Sequence, residues 1–182
     1  MFNLIRSAQR AVRRFRRDRK GAAALEFGLV ALPFFLLTFG LAEIALIGFA
    51  QASLDDAVSE TAREIRTGQA QTNGLSYTQI KGQLCAQITD LMPMDCANNL
   101  YLDVNTFASF VTVQNSNPVQ NNTFNTSGFG YNPGVASSIV VVRAYYRWQV
   151  LTPFFQAVFA NVGGGQRILS STMMFRNEPF ST

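Results

Sequence analysis

The sequence predicts an α+β protein in which one long N-terminal helix packs on a small antiparallel sheet. Three observations support this prediction. The 29 residues from Ala22 to Ala50 are apolar apart from two acids. Beyond them, apolar residues recur at spacings of three and four as far as residue 67, which is typical of an amphipathic helix. In the C-terminal half, apolar and polar residues alternate, as they do in strands with one buried face.

Basic residues are concentrated at the N-terminus. Residues 1–20 contain eight bases and one acid, a net charge of +7, whereas the rest of the chain has seven bases and ten acids. A nucleic-acid-binding domain would need its bases on the folded face, so we expect no nucleic-acid partner. The chain has no histidine, which excludes histidine-dependent triads and most zinc sites. We therefore predict no enzymatic activity, no catalytic residues, no metal and no cofactor.

The apolar run at residues 22–50 is long enough to cross a bilayer, for which about 20 residues suffice. A cleaved signal sequence would have a shorter apolar region with small residues after it, whereas here they precede it, at Gly21–Ala24. We therefore predict a retained transmembrane helix with its basic flank in the cytoplasm. Glu43 is expected near the outer boundary, where its side chain reaches water; an intersubunit contact is the alternative. Pro33 predicts a kink, either as a functional hinge or simply tolerated.

The helical pattern continues through residues 51–67 as an amphipathic segment, which Gly68 is expected to end. Glu60 and Arg63 lie one turn apart on its polar face and can pair. We predict that this segment packs on the sheet through one stripe of residues, namely Leu54, Ala57, Val58, Thr61, Ala62 and Ile65.

Residues 68–182 are predicted to form an exported α+β domain. The expected elements are a helix over Tyr77–Leu91 closed by Pro93, one or two strands over Leu100–Val113, an exposed loop over Gln114–Pro133, the strongest strand over Ser138–Val150, a short helix over Pro153–Val162 and a last strand over Gln166–Phe175.

Individual side chains of this domain support further predictions. Alternation along the strongest strand puts Trp148 on one face and Tyr145 and Arg147 on the other, which favours core and sheet surface over a sugar-binding site. If the exported side is oxidising, Cys85 and Cys96 are expected to form one disulfide.

The segment Arg19–Phe27, with the sequence RKGAAALEF, opens directly into the apolar helix. It resembles the prepilin processing site and is most similar to the TadE-like pseudopilins of tight-adherence (Flp-type) pili. The resemblance implies that a membrane peptidase removes the leader, residues 1–21, by cutting between Gly21 and Ala22. It also assigns the glutamate at the fifth mature position to Glu26, followed by the aromatic Phe27, and implies a pilin-like exported domain.

The function implied by this resemblance is that of a minor pseudopilin in pilus assembly. The implied partners are the inner membrane, the prepilin peptidase, other pilins and the assembly machinery, with the N-terminus cytoplasmic and the C-terminal domain periplasmic. A pseudopilin of a secretion system and a membrane-anchored exported binding module or enzyme are the alternatives. After cleavage, the α-amino group of Ala22 would pair with Glu26 of the same or a neighbouring chain; otherwise Glu26 is simply an acid at a helix N-terminus.

Overall fold

A computed structural model describes residues 20–91, 95–113 and 117–181. The chain divides into two units, residues 1–42 and 43–182, and each is described by itself. Most of the predicted basic leader lies outside the described residues, as does Pro93, which was expected to close the second helix.

The first helix, α1, runs without interruption over Lys20–Arg66 and includes Pro33. Its C-terminal end follows from Gly68, which adopts a left-handed conformation with φ +80°. A side chain at position 68 would be strained there and would also overlap the ring of Phe180. The predicted helix and its glycine stop are confirmed, whereas the kink at Pro33 stays a prediction.

Three strands form an antiparallel sheet in the order β1–β4–β5. Strand β1 is Leu100–Phe107, β4 is Ile139–Gln149 and β5 is Gln166–Arg176. In β4, β-branched and aromatic residues predominate, and these side chains favour the pleated surface of a sheet. Because β4 is the central strand, it pairs along its whole length with β5 and over eight residues with β1.

The amphipathic half of α1 packs on this sheet. Each of the six residues predicted to form its stripe is buried, and five of them belong to one hydrophobic core with residues of all three strands. Strand β4 contributes Val142, Ala144, Tyr146 and Trp148 to the same core, so the predicted alternation is confirmed. The fold is therefore the predicted α+β arrangement of a long helix on a small antiparallel sheet.

Shorter elements complete the domain. They are helices α2 at Gln69–Thr72, α3 at Tyr77–Leu91, α4 at Cys96–Asn99 and α5 at Gln156–Phe159, 3-10 turns at Phe110–Thr112 and Pro153–Phe155, and strands β2 at Val119–Gln120 and β3 at Thr123–Phe124. The helix predicted over residues 77–91 is confirmed. The one predicted over residues 153–162 is shorter and begins as a 3-10 turn.

The segment predicted as an exposed loop, Gln114–Pro133, contains a hairpin formed by β2 and β3. Asn121 and Asn122 connect these strands with φ values of +49° and +57°. Two consecutive positive φ values characterise the two-residue turns of hairpins, and asparagine tolerates them better than most residues. The segment predicted as an exposed loop therefore also contains regular structure that was not predicted; its residues 114–116 lie outside the described part of the chain.

Candidate functional site

The predicted processing motif lies in the first two turns of α1. Gly21, Ala22, Glu26 and Phe27 are all helical and exposed. Because Ala22 and Glu26 are four residues apart, they lie on the same face of the helix, about 6 Å apart along its axis. The motif residues are thus brought together, on a surface that another molecule can reach.

Gly21 has open space around it. A methyl group at its Cα would meet nothing within 4 Å in the described structure beyond its own turn of the helix. The described structure therefore gives no steric reason for glycine at this position. If a larger side chain at position 21 changes the behaviour of the protein, the cause would be a clash with another molecule that binds this segment.

Glu26 has neither a hydrogen-bond partner nor an ion-pair partner in the part of the chain that the structure describes. It is surrounded in sequence by Leu25, Phe27 and Leu29, whose side chains are each about 70% exposed. A carboxylate without a partner is costly in lipid. An external cation would be needed to compensate it there.

The first unit presents apolar side chains over most of its described length. These exposed residues include Leu25, Phe27, Leu29, Val30, Leu32, Phe34, Phe35, Leu37, Phe39 and Leu41. Only 11% of the most apolar 18-residue stretch of α1 is buried, whereas a core helix of a soluble protein would be mostly buried. The helix is consistent with a single-pass membrane anchor.

Glu43 does not reach water, so that expectation was wrong. Only 2% of the residue is exposed. Its carboxylate accepts hydrogen bonds from the backbone N–H of Leu151 at 3.0 Å, the N–H of Thr152 at 3.1 Å and the hydroxyl of Thr152 at 3.0 Å. Glu43 therefore fixes the chain that follows β4.

A signal for this placement exists in the sequence. Counting back from Leu54 in steps of three and four leads through Ala50 and Ile47 to Glu43. Glu43 thus continues the buried stripe of α1 by about three turns. The prediction that Glu43 reaches water follows from its position along the helix axis, whereas its burial follows from its position around the helix.

Residues 21–63 match the model of a family described as TadE-like protein. This segment of the chain is therefore similar to TadE-like proteins. The match includes Gly21, Ala22, Glu26 and Phe27 and nearly all of α1, and it confirms the resemblance on which the motif was interpreted. It ends before α2, so the sheet is not covered by it. Neither the curated proteins nor the solved structures contain a significant match.

Cys85 of α3 and Cys96 of α4 are joined through their sulfur atoms, with their Cα atoms 5.6 Å apart. That separation is typical of disulfides. The pair connects two elements on either side of residues 92–94, which lie outside the described part of the chain. It is remote in sequence from the TadE-like segment.

The sheet face opposite α1 is covered by the hairpin segment. Tyr145 is 5% exposed and stacks on Phe129 with ring centroids 5.1 Å apart; its burial raises the pKa of the Tyr145 hydroxyl. The guanidinium of Arg147 lies 5.3 Å from the centroid of Tyr101. These aromatic side chains pack against one another and form no open platform for a sugar.

Asp103 and Arg143 form a buried ion pair that sequence reasoning missed. They are directly opposite each other on β1 and β4, with Arg143 Nη1 3.3 Å from Asp103 Oδ2. Asp103 also accepts a hydrogen bond from the backbone N–H of Gly130 at 3.0 Å. The pair thus holds the chain after the hairpin against the sheet, and only the strand register reveals it.

Acidic residues of the domain serve structural contacts. Glu60 accepts hydrogen bonds from Arg63, which hold the pKa of its carboxyl below the usual value. Asp55 accepts one from Gln51, and Asp95 accepts one from Asn98. Over the described residues, no group of three or more acids or cysteines is placed to hold a metal ion.

Proposed function

We propose that this chain is a minor pseudopilin that acts in the assembly of a tight-adherence (Flp-type) pilus. The observation that carries the proposal is the TadE-like match over residues 21–63, which begins at Gly21 and includes Glu26. The proposed role is structural and non-catalytic. Its partners would be the inner membrane, a prepilin peptidase, other pilins and the assembly machinery.

In this proposal α1 anchors the chain in the inner membrane through residues 22–50. The basic leader would remain in the cytoplasm, because Lys and Arg flanking an apolar helix favour that side. Residues 68–182 would then be exported, with residues 51–67 docking α1 on the exported domain. The oxidising environment there would permit the bond between Cys85 and Cys96.

The leader would be removed between Gly21 and Ala22. Glycine leaves the backbone unhindered for a protease, and the alanines that follow are small. The exposure of these residues supports this step, because nothing in the described structure covers them.

Cleavage would create a new cation, the α-amino group of Ala22. Glu26 has no partner among the described residues, so this amine, on the same or a neighbouring chain, would complete its charge pairing. Pairing between chains would neutralise both groups and fix the axial register of packed helices. The function of Glu26 would then be assembly, whereas that of Gly21 would be processing.

The test is pilus formation in cells that carry Glu26→Ala in place of the wild-type chain. We expect a cleaved, membrane-resident protein that does not support pili. The α-amino group of Ala22 would be left without its partner, and an unpaired buried charge costs about 3–5 kcal/mol. Glu26→Asp should rescue assembly in part because it keeps the charge. Asp56→Ala removes an exposed acid further along the same helix and is the matched control, which should assemble normally.

Processing is followed in the same cells by the mass of the mature chain. A Glu26→Ala protein that is cleaved and assembles pili as well as wild type would show that the carboxylate is only a helix-end acid. Cells that lack the chain distinguish the pilus from a secretion system. They should lose pili and keep protein secretion.

A further inference from the structure

The segment between β4 and β5 carries an apolar surface that the proposed function does not use. Five of its side chains are exposed, and we call them the 151–158 patch: Leu151, Pro153, Phe154, Ala157 and Val158. Its largest apolar members are exposed, by 62% at Leu151, 67% at Phe154 and 71% at Val158. Exposed apolar residues that cluster in one short segment indicate an interaction surface.

Partly buried side chains of the same segment hold the patch in place. Phe155 and Phe159 come from the same segment but point the other way, pack against the main core and contact each other with ring centroids 5.5 Å apart. The side-chain amide of Gln156 donates to the carbonyl of Val150 at 3.3 Å. Because the inward residues are fixed, the outward ones are presented in a defined arrangement.

Glu43 binds the start of the patch segment to the first residue of the second unit. It binds the N–H groups of Leu151 and Thr152, and in α1 it directly follows Ala42. Residues 22–42 make about 30 Å of helix, which is the thickness of the hydrocarbon core of a bilayer. With residues 22–42 crossing the core as proposed, Glu43 is the first residue after it, and Leu151 and Thr152 are bound to that residue.

The composition of the segment suits a lipid surface. No acid occurs between residues 144 and 177, and Arg167 lies in this stretch. Arg167 donates to the carbonyl of Phe159, so a base lies next to the segment that bears the patch. Aromatic and aliphatic side chains next to bases are typical of segments that lie in the headgroup region, because anionic lipids attract the bases.

We propose that the 151–158 patch inserts into the headgroup region of the bilayer that α1 crosses. This inference rests on the proposed membrane anchoring of α1. A second contact with lipid would restrain the sheet domain at the membrane surface until the chain leaves the bilayer. A second copy of the chain is the competing occupant.

The test uses the full-length chain in vesicles of phosphatidylethanolamine and phosphatidylglycerol with brominated acyl chains, which quench tryptophan fluorescence on contact. The native Trp148 is in the core and provides a common baseline. Three variants each add one tryptophan in place of an exposed phenylalanine: Phe154→Trp in the patch, Phe35→Trp in the apolar half of α1 and Phe110→Trp as the control.

Phe110 is a matched control because it follows β1 at the other end of the sheet. Phe107 pairs with Ile139 at the start of β4, whereas the patch follows the end of β4. The two ends of an 11-residue strand are about 35 Å apart. We expect lipid quenching of the added tryptophan at positions 35 and 154, each several-fold stronger than at position 110.

Quenching at position 35 without quenching at position 154 would overturn the inference and leave the anchor intact. Absence of quenching at both positions would overturn the anchoring itself and the inference with it. The third outcome is that lipid does not quench the tryptophan at position 154, and that its emission shifts to shorter wavelength only at high protein-to-lipid ratio. This outcome would assign the patch to a second copy of the chain.

Discussion

At the scale of single residues, Glu43 connects two distant parts of the chain. Its carboxylate accepts three hydrogen bonds from residues 151 and 152, and it does so at a position where only 2% of the residue is exposed. Hydrogen bonds to a charged acceptor are stronger than neutral ones. Glu26, the other acid of the apolar region, has no such partner among the described residues, so the two acids have different surroundings.

Glu43→Ala should release the segment after β4. Without the carboxylate, the N–H groups of Leu151 and Thr152 lose their acceptor, and we expect destabilisation of about 1–3 kcal/mol. Hydrogen exchange at these two amides measures the effect and should become faster. Glu43→Gln keeps one acceptor oxygen and should have a smaller effect.

The matched control for this substitution is Asp56→Ala, an exposed acid on the same helix, which should leave both amides unchanged. Equal exchange of Leu151 and Thr152 in Glu43→Ala and wild type would contradict the role assigned to Glu43.

At the scale of elements, the spacing of apolar residues was sufficient to predict the long helix and the long strands. The stripe that begins at Leu54 and the alternation along β4 both follow from burial on one face, so the sequence predicts them directly. The hairpin at Asn121 and Asn122 was missed because each of its strands has only two residues, too few for a period to be visible. The Asp103–Arg143 pair depends on strand register, which single-strand patterns do not contain.

The connection between α3 and α4 supports a prediction about the two cysteines. Once the domain is exported, Cys85 and Cys96 should form a disulfide, and replacing both with alanine should lower the free energy of unfolding by about 2–3 kcal/mol because the loop is short. Denaturant unfolding measures this change, with reduced wild type as the control. Thiol labelling of unreduced, denatured protein should find no free thiol, and two free thiols per exported chain would refute the bond.

At the scale of the whole chain, charge and apolar surface are divided along the sequence. Residues 1–20 are strongly basic, residues 22–42 are apolar apart from Glu26, and the remainder is acidic on balance. The described part of the first unit exposes its apolar residues, whereas the second unit has a buried core of its own. The proposed topology, with a cytoplasmic leader, one membrane crossing and an exported domain, would account for each of these compositions.

The central claim is that the TadE-like segment contains a processing site, and the intact mass of the chain extracted from membranes tests it most directly. In cells that carry the peptidase, we predict loss of residues 1–21 and a mature N-terminus that reads AAALEF. Gly21→Val is the control: it has room in the described structure but should crowd the protease and block the cut. A wild-type chain that retains the leader in these cells, or is cut after the apolar run, would contradict the account.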